Sequence, residues 1–185
     1  MSMKRSGVVL LSVVWLFAAR SGWAEHPDCE QTAPLSRALP ASVERQTLEH
    51  ALWLAGAGIA DLPIGLASAP FAHASRGLAA WTVFPDDGTP AHILVYTASP
   101  VFGCASVRPN PDYHCVVMLA SILVHEAWHV QHGSSEAGAY RMQLAFLILH
   151  GASEAQLDSV HASARAATTQ PKVTLSARPG AHPTP

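Results

Sequence analysis

Charge is scarce in this chain. Of 185 residues only 13% are Asp, Glu, Lys or Arg, and aromatic residues make up 7%. Basic residues are the scarcer sign, with 11 Lys and Arg against 13 Asp and Glu. Three of them, Lys4, Arg5 and Arg20, fall in the first 24 residues, and without that segment the balance is 8 against 13, formally −5. A chain so poor in cations is a weak candidate for gripping nucleic acid or an anionic membrane. Long apolar runs are lacking too. The run from Gly7 to Ala19 spans 13 residues, too short for an ordinary membrane-spanning helix. Cysteine is sparse, with three residues at 29, 104 and 115.

The short apolar run has a different reading. Lys4 and Arg5 precede it, and Ser21-Gly-Trp-Ala24 follows, which gives small residues at −3 and −1 of a cut after Ala24. That is the layout of a secretory signal peptide over 1–24, and the absence of a cysteine just after the cut argues against a lipoprotein anchor. Cleavage would leave 161 of the 185 residues, one domain by length, periplasmic or secreted and without a stable membrane anchor. In an oxidising compartment at least one disulfide is expected. Cys104 to Cys115 is the shortest of three pairings and closes VFGCASVRPNPDYHC, whose Pro-Asn-Pro-Asp centre is turn material. Cys29 would then be left over, and three reduced thiols is the alternative.

The rest of the chain is organised around Val116 to Leu149. Inside it stands His125-Glu126-x-x-His129. Residues four apart share one face of an α-helix, so both imidazoles can reach one metal ion, with Glu126 placed to touch a water on it. The flanks support a helix: Cys115 to Val130 has no Gly or Pro and is apolar nearly all round, the pattern of a buried helix. Burying two His and a Glu there costs several kcal/mol unless something compensates them, and a metal ion would. The competing reading is a core helix whose His bond to backbone and whose Glu faces solvent.

A catalytic zinc takes three protein ligands and keeps the fourth position for water. Gly133 looks like the helix stop and Ser134 or Ser135 like the N-cap of a second helix, so a short link would fold an antiparallel helix hairpin. Glu136, on the first turn of that helix, would lie near His129. It could instead be an acid placed favourably at a helix N-terminus. His132 is the rival ligand, but it lies seven residues past His125, roughly 10 Å along a straight helix, which leaves Glu136 the better candidate. Tyr140, four residues on, shares its face and could donate to a developing oxyanion, or simply belong to the apolar stripe. Gln143, Phe146 and Trp128 read as packing. The remaining His, among them His50, His92, His114, His150 and His161, show no ligand spacing.

His125-Glu126-x-x-His129 followed by Glu136-x-x-Ala139-Tyr140-Arg141-x-Gln143-x-x-Phe146-Leu147 resembles the small bacterial gluzincin-type zinc metallopeptidases (minigluzincins). The likeness covers 91–151 closely and extends loosely back to residue 41. It implies zinc held by His125, His129 and Glu136, Glu126 as catalytic base, and a peptide or protein substrate. It also implies an edge strand beside the metal helix that holds substrate as an added strand. One departure is the short interval to Glu136, since many gluzincins carry that ligand farther down the chain.

Around this centre the pattern predicts an α+β, zincin-like domain over 41–166, with helices around a small sheet. Residues 25–40 read as an extended lead-in. Ala41 to Ala57 reads as a helix capped by Ser42 and ended at Gly56-Ala-Gly58. Pro63 and Pro70 limit 61–75 to short turns. Gly77 to Phe84 and Ala91 to Thr97 read as two strands of a hairpin about Pro85-Asp-Asp-Gly88. Glu154 to Ala166 reads as a last helix, and 167–185, rich in Thr, Pro and Ala, as a disordered tail. The expected chemistry is peptide-bond hydrolysis. A secreted zinc-binding protein without turnover and a purely structural domain are the alternatives.

Overall fold

A computed structural model describes residues 41–68, 78–85 and 89–169. The expected signal peptide, the lead-in with Cys29, and 170–185 lie outside the described residues. So do the centre of the hairpin turn and His26, His73 and His182.

The described residues form six helices and a three-stranded mixed sheet, an α+β arrangement. Helix α4 (Tyr113–His132) is its axis: α1, α3, α5 and strands β2 and β3 all pack on it. Thirteen of its twenty residues are buried, from Cys115 to His129, as expected of a helix apolar on every side. Asp112 caps its N-terminus, accepting from His114 N at 2.8 Å. The bridge Cys104–Cys115, with Cα atoms 5.7 Å apart, joins α3 (Pro100–Ala105) to the first turn of α4.

Helix α1 (Ala41–Ala55) begins one residue before Ser42, so Ser42 lies inside the helix and is not its cap. The short α2 (Ala57–Ala60) follows Gly56. Strand β1 (Ile64–Ala67) stands where only turns are expected, and it pairs in parallel with β3 (His92–Tyr96). Between Pro63 and Pro70 there are six residues and the strand takes four of them, too few to show an alternation. The expected antiparallel pair is present: β2 (Ala80–Val83) pairs with β3, Thr82 opposite Ile93 and Ala80 opposite Val95. The order is β1-β3-β2, so β2 is an edge strand, on the side of α4.

Helix α3 is a second element absent from the sequence reading. Ser99 caps it, its Oγ accepting from Phe102 N, and Pro100 takes the first turn, where proline costs nothing. After α4, Gly133 and Ser135 make the tight link to α5 (Glu136–Leu149). Helix α6 (Glu154–Thr169) runs three residues past the expected boundary at Ala166. Ser153 and Gln156 cap it reciprocally, backbone N–H to side chain in each direction, a capping box. Gln156 Nε2 also donates to the carbonyl of His114 at 3.0 Å, which ties α6 to the start of α4.

Candidate metal centre

His125 and His129 project from one face of α4, as their spacing requires, and Glu136 enters from the first turn of α5. The three side chains form a triangle of short approaches. Nε2 of His125 and Nε2 of His129 are 3.2 Å apart. The Glu136 carboxylate straddles both, Oε2 at 3.5 Å from His125 Nε2 and Oε1 at 3.5 Å from His129 Nε2. Two ligand atoms bound at about 2.0–2.1 Å to a tetrahedral zinc lie roughly 3.3–3.4 Å from each other. Each of the three approaches is close to that separation, the two to Glu136 being made by different oxygens.

The tautomer of His129 is set by its surroundings. Its Nδ1 lies 2.9 Å from the carbonyl of Gly133, and a carbonyl can only accept, so Nδ1 carries the hydrogen. Neutral His129 then presents the Nε2 lone pair toward the triangle, as a ligand must. The donor set suits a metal ion: two imidazoles and one carboxylate, with ligand atoms within 4.8 Å of one another. His125, His129 and Glu136 could thus bind a metal, and two His with one Glu is a set used by catalytic zinc.

No family model, curated protein or solved structure matches this chain.

Burial is uneven around the triangle. The side chains of His125 and His129 are 2% and 0% exposed, whereas Glu136 keeps 24%. Among the described residues the group is thus walled in on the α4 side and reachable from the side of Glu136. Burial works against ionising the Glu136 carboxyl, but the hydrogen bonds and charges of His125 and His129 outweigh it and hold its pKa down at about 2. For His129, burial works against the charged form. The Glu136 contact, the Gly133 carbonyl and the carboxylates of Glu126 and Glu136 win, and its pKa is raised.

Glu126 is fully buried, contrary to the reading in which it faces solvent. Burial pushes its carboxyl upward against the opposing pull of His125, His129 and Thr82. One oxygen, Oε2, accepts from the hydroxyl of Thr82 at 2.8 Å, while Oε1 is buried without a partner among the described residues. Thr82 is the functional neighbour that the sequence did not disclose. It arrives from β2, 44 residues away, and its only local signal is a polar residue in an apolar strand.

Tyr140 is buried, its hydroxyl has no partner among the described residues, and its ring meets that of His125 edge-on at 4.5 Å between centroids. Burial, then the carboxylates of Glu136 and Glu126, raise the phenol pKa, so it stays a hydrogen-bond donor. His132 does not join the group. Its ring stacks on Trp128 at 3.9 Å and its Nδ1 faces the carbonyl of Trp128. Gln143, expected as packing, is buried and donates to Ser121 Oγ at 3.2 Å, pinning α5 to α4. A cavity of about 450 Å³ opens on another face of α4, lined by residues including Ile59, Val124, Trp128, Met142 and Phe146. None of the His/Glu group lines it.

Proposed function

We propose that this is a zincin-like domain and an exported, zinc-dependent metallopeptidase that hydrolyses peptide bonds. The observation that carries the reading is a combination at the α4–α5 turn: His125, His129 and Glu136 with donor atoms gathered closely enough for one metal ion, and a buried carboxylate, Glu126, beside His125. Each part has a duller explanation. Together they gather two imidazoles and two carboxylates in a buried or half-buried group, an arrangement that a bound metal ion would stabilise.

His125, His129 and Glu136 would hold the ion, which when bound supplies Lewis acidity and lowers the pKa of a water molecule toward 7. Glu126 takes the proton of the attacking water and hands it to the leaving amine. Tyr140 donates its hydroxyl hydrogen to the oxygen that gains charge as the carbonyl is attacked. A group with one open side admits a substrate, as the partial exposure of Glu136 provides. An extended peptide would lie along β2, the edge strand nearest α4, as the resemblance to gluzincins implies. The Cys104–Cys115 bridge fits an oxidising, periplasmic or secreted environment. Among the described residues no helix is long and apolar enough to cross a membrane.

The test is cleavage of a mixed peptide library by the zinc-loaded protein, with Glu126→Gln beside it. Loss of the base should slow hydrolysis roughly 10²- to 10⁴-fold while zinc is retained. Full zinc with no cleavage of any peptide would instead make this a metal-binding protein without turnover.

A further inference from the structure

We infer that Thr82 is the positioning residue for Glu126: its hydroxyl holds Oε2 and so leaves Oε1 as the oxygen that takes the proton. The inference rests on the metallopeptidase reading and names a part of that site.

The geometry begins with the sheet. Side chains alternate across a strand, so Ala80 and Thr82 share one face of β2, and their partners Val95 and Ile93 share that face on β3. All four are at most 1% exposed, and Thr82 alone among them is polar. Valine has the same shape, favours strands and would carry no hydroxyl into this apolar layer. A buried hydroxyl is tolerated where it has a partner, and the partner here is Glu126. Thr82 Oγ1 lies 2.8 Å from Glu126 Oε2 and 3.0 Å from the carbonyl of the same residue. A hydroxyl has one hydrogen to give, and Oε2 is the nearer of the two acceptors.

The consequence is a choice between two oxygens. A free carboxylate can turn about its last torsion, which is soft, and present either oxygen. With Oε2 tied to the sheet, the rotor stops. Oε1, buried and without a partner among the described residues, is the oxygen left to receive a hydrogen. A helix residue is thereby aligned by a strand 44 positions upstream, and the strand is the one at the edge of the sheet beside α4.

The test uses the purified protein with three variants, Thr82→Val, Thr82→Ser and Glu126→Gln, each loaded with zinc or cobalt. The first readout is zinc per chain, expected to stay near the parent in Thr82→Val and Thr82→Ser, with a cooperative thermal melt as the check that each variant is folded and a lowered midpoint expected for Thr82→Val. The second is affinity for acetohydroxamate, a small chelator whose hydroxyl is deprotonated and held by a neighbouring base when it binds a metal, followed in the visible spectrum of the cobalt form. The third is kcat and KM on a peptide that the parent cleaves. Losing a hydrogen bond to a charged group should weaken acetohydroxamate and lower kcat by roughly 10- to 100-fold in Thr82→Val, with KM little changed. Thr82→Ser, which keeps the hydroxyl, should restore both.

Thr82→Val indistinguishable from the parent, or Thr82→Ser no better than Thr82→Val, would overturn the positioning role while leaving the peptidase reading intact. A parent that binds zinc but cleaves nothing would sink the peptidase reading. The acetohydroxamate series would still decide for or against Thr82. A parent that binds no metal overturns both.

Discussion

Nδ1 of His129 donates to the carbonyl of Gly133 at 2.9 Å, so the residue that stops α4 also orients a ligand on it. Gly133 has φ 80° and ψ −158°, a region that is essentially closed to side chains. Helix ending and ligand orientation are therefore one feature. A substitution there acts on both.

Gly133→Ala should cost about 1–3 kcal/mol of backbone strain. Because the Gly133 carbonyl sets the tautomer of His129, zinc affinity should also fall, roughly 10- to 100-fold. Competition against a zinc-binding dye, read beside a thermal melt, separates the two effects. Loss of stability with unchanged affinity would show that the carbonyl contact is dispensable.

Gly138 matters for a different reason. A Cβ at this position would sit 2.6 Å from three atoms of the Trp128 indole, which is itself stacked on His132. The ring has to move and its stacking is lost, so Gly138→Ala should destabilise the fold by about 1–3 kcal/mol. The close approach of α5 to α4 sets where Glu136 stands. A thermal melt near that of the parent would mean that the hairpin yields more easily than its packing indicates.

Reduction of Cys104–Cys115, or the Cys104→Ser/Cys115→Ser double variant, should cost about 3 kcal/mol through the freed chain entropy of the unfolded state. The bridge anchors α3 to the first turn of α4, ten residues before His125 in the chain. Zinc content should therefore survive where the thermal midpoint does not, and denaturant melts with and without reductant measure the difference.

Acid should release the metal through His129 rather than Glu136. A raised His129 pKa means that its proton is held to a higher pH than a free imidazole's, and a ligand must lose that proton to bind. The Glu136 carboxyl, held down at about 2, stays ionised throughout the mildly acidic range and does not compete. Zinc affinity should accordingly weaken as pH falls from 8 toward 6, about tenfold for each proton and pH unit below the His129 pKa. The metal-free protein should show the opposite sign for stability. A raised His129 pKa contributes stability that is fully present below the ordinary imidazole value near 6.5 and is lost as pH rises through the raised one. Zinc affinity flat between pH 6 and 8 would contradict the assignment of His129 as a ligand.

The site was more legible in the sequence than the sheet. Helical spacing alone puts His125 and His129 on one face, and Gly133 with Ser135 announces the turn that returns Glu136 beside them. These are local signals, readable over a dozen residues. Thr82 is not local. That a strand should pass Glu126 depends on how β2 packs across α4, which no spacing encodes. The strand β1 was missed for a similar reason, since its four residues between prolines acquire their identity only by pairing with β3. Helix α3 is a different failure: Ser99-Pro100 is an N-cap followed by a first-turn proline, and that signal was present. Ser42 errs in the other direction, a good capping residue that is already the second residue of the helix.

The measurement that bears most directly on the account is zinc per chain in the purified protein, by plasma mass spectrometry, with His129→Ala and Glu136→Ala beside it. The predicted result is about one zinc in the parent and little in either variant, as three protein ligands require. No zinc in the parent after incubation with the metal at neutral pH would contradict the account, and zinc undiminished in both variants would contradict it equally.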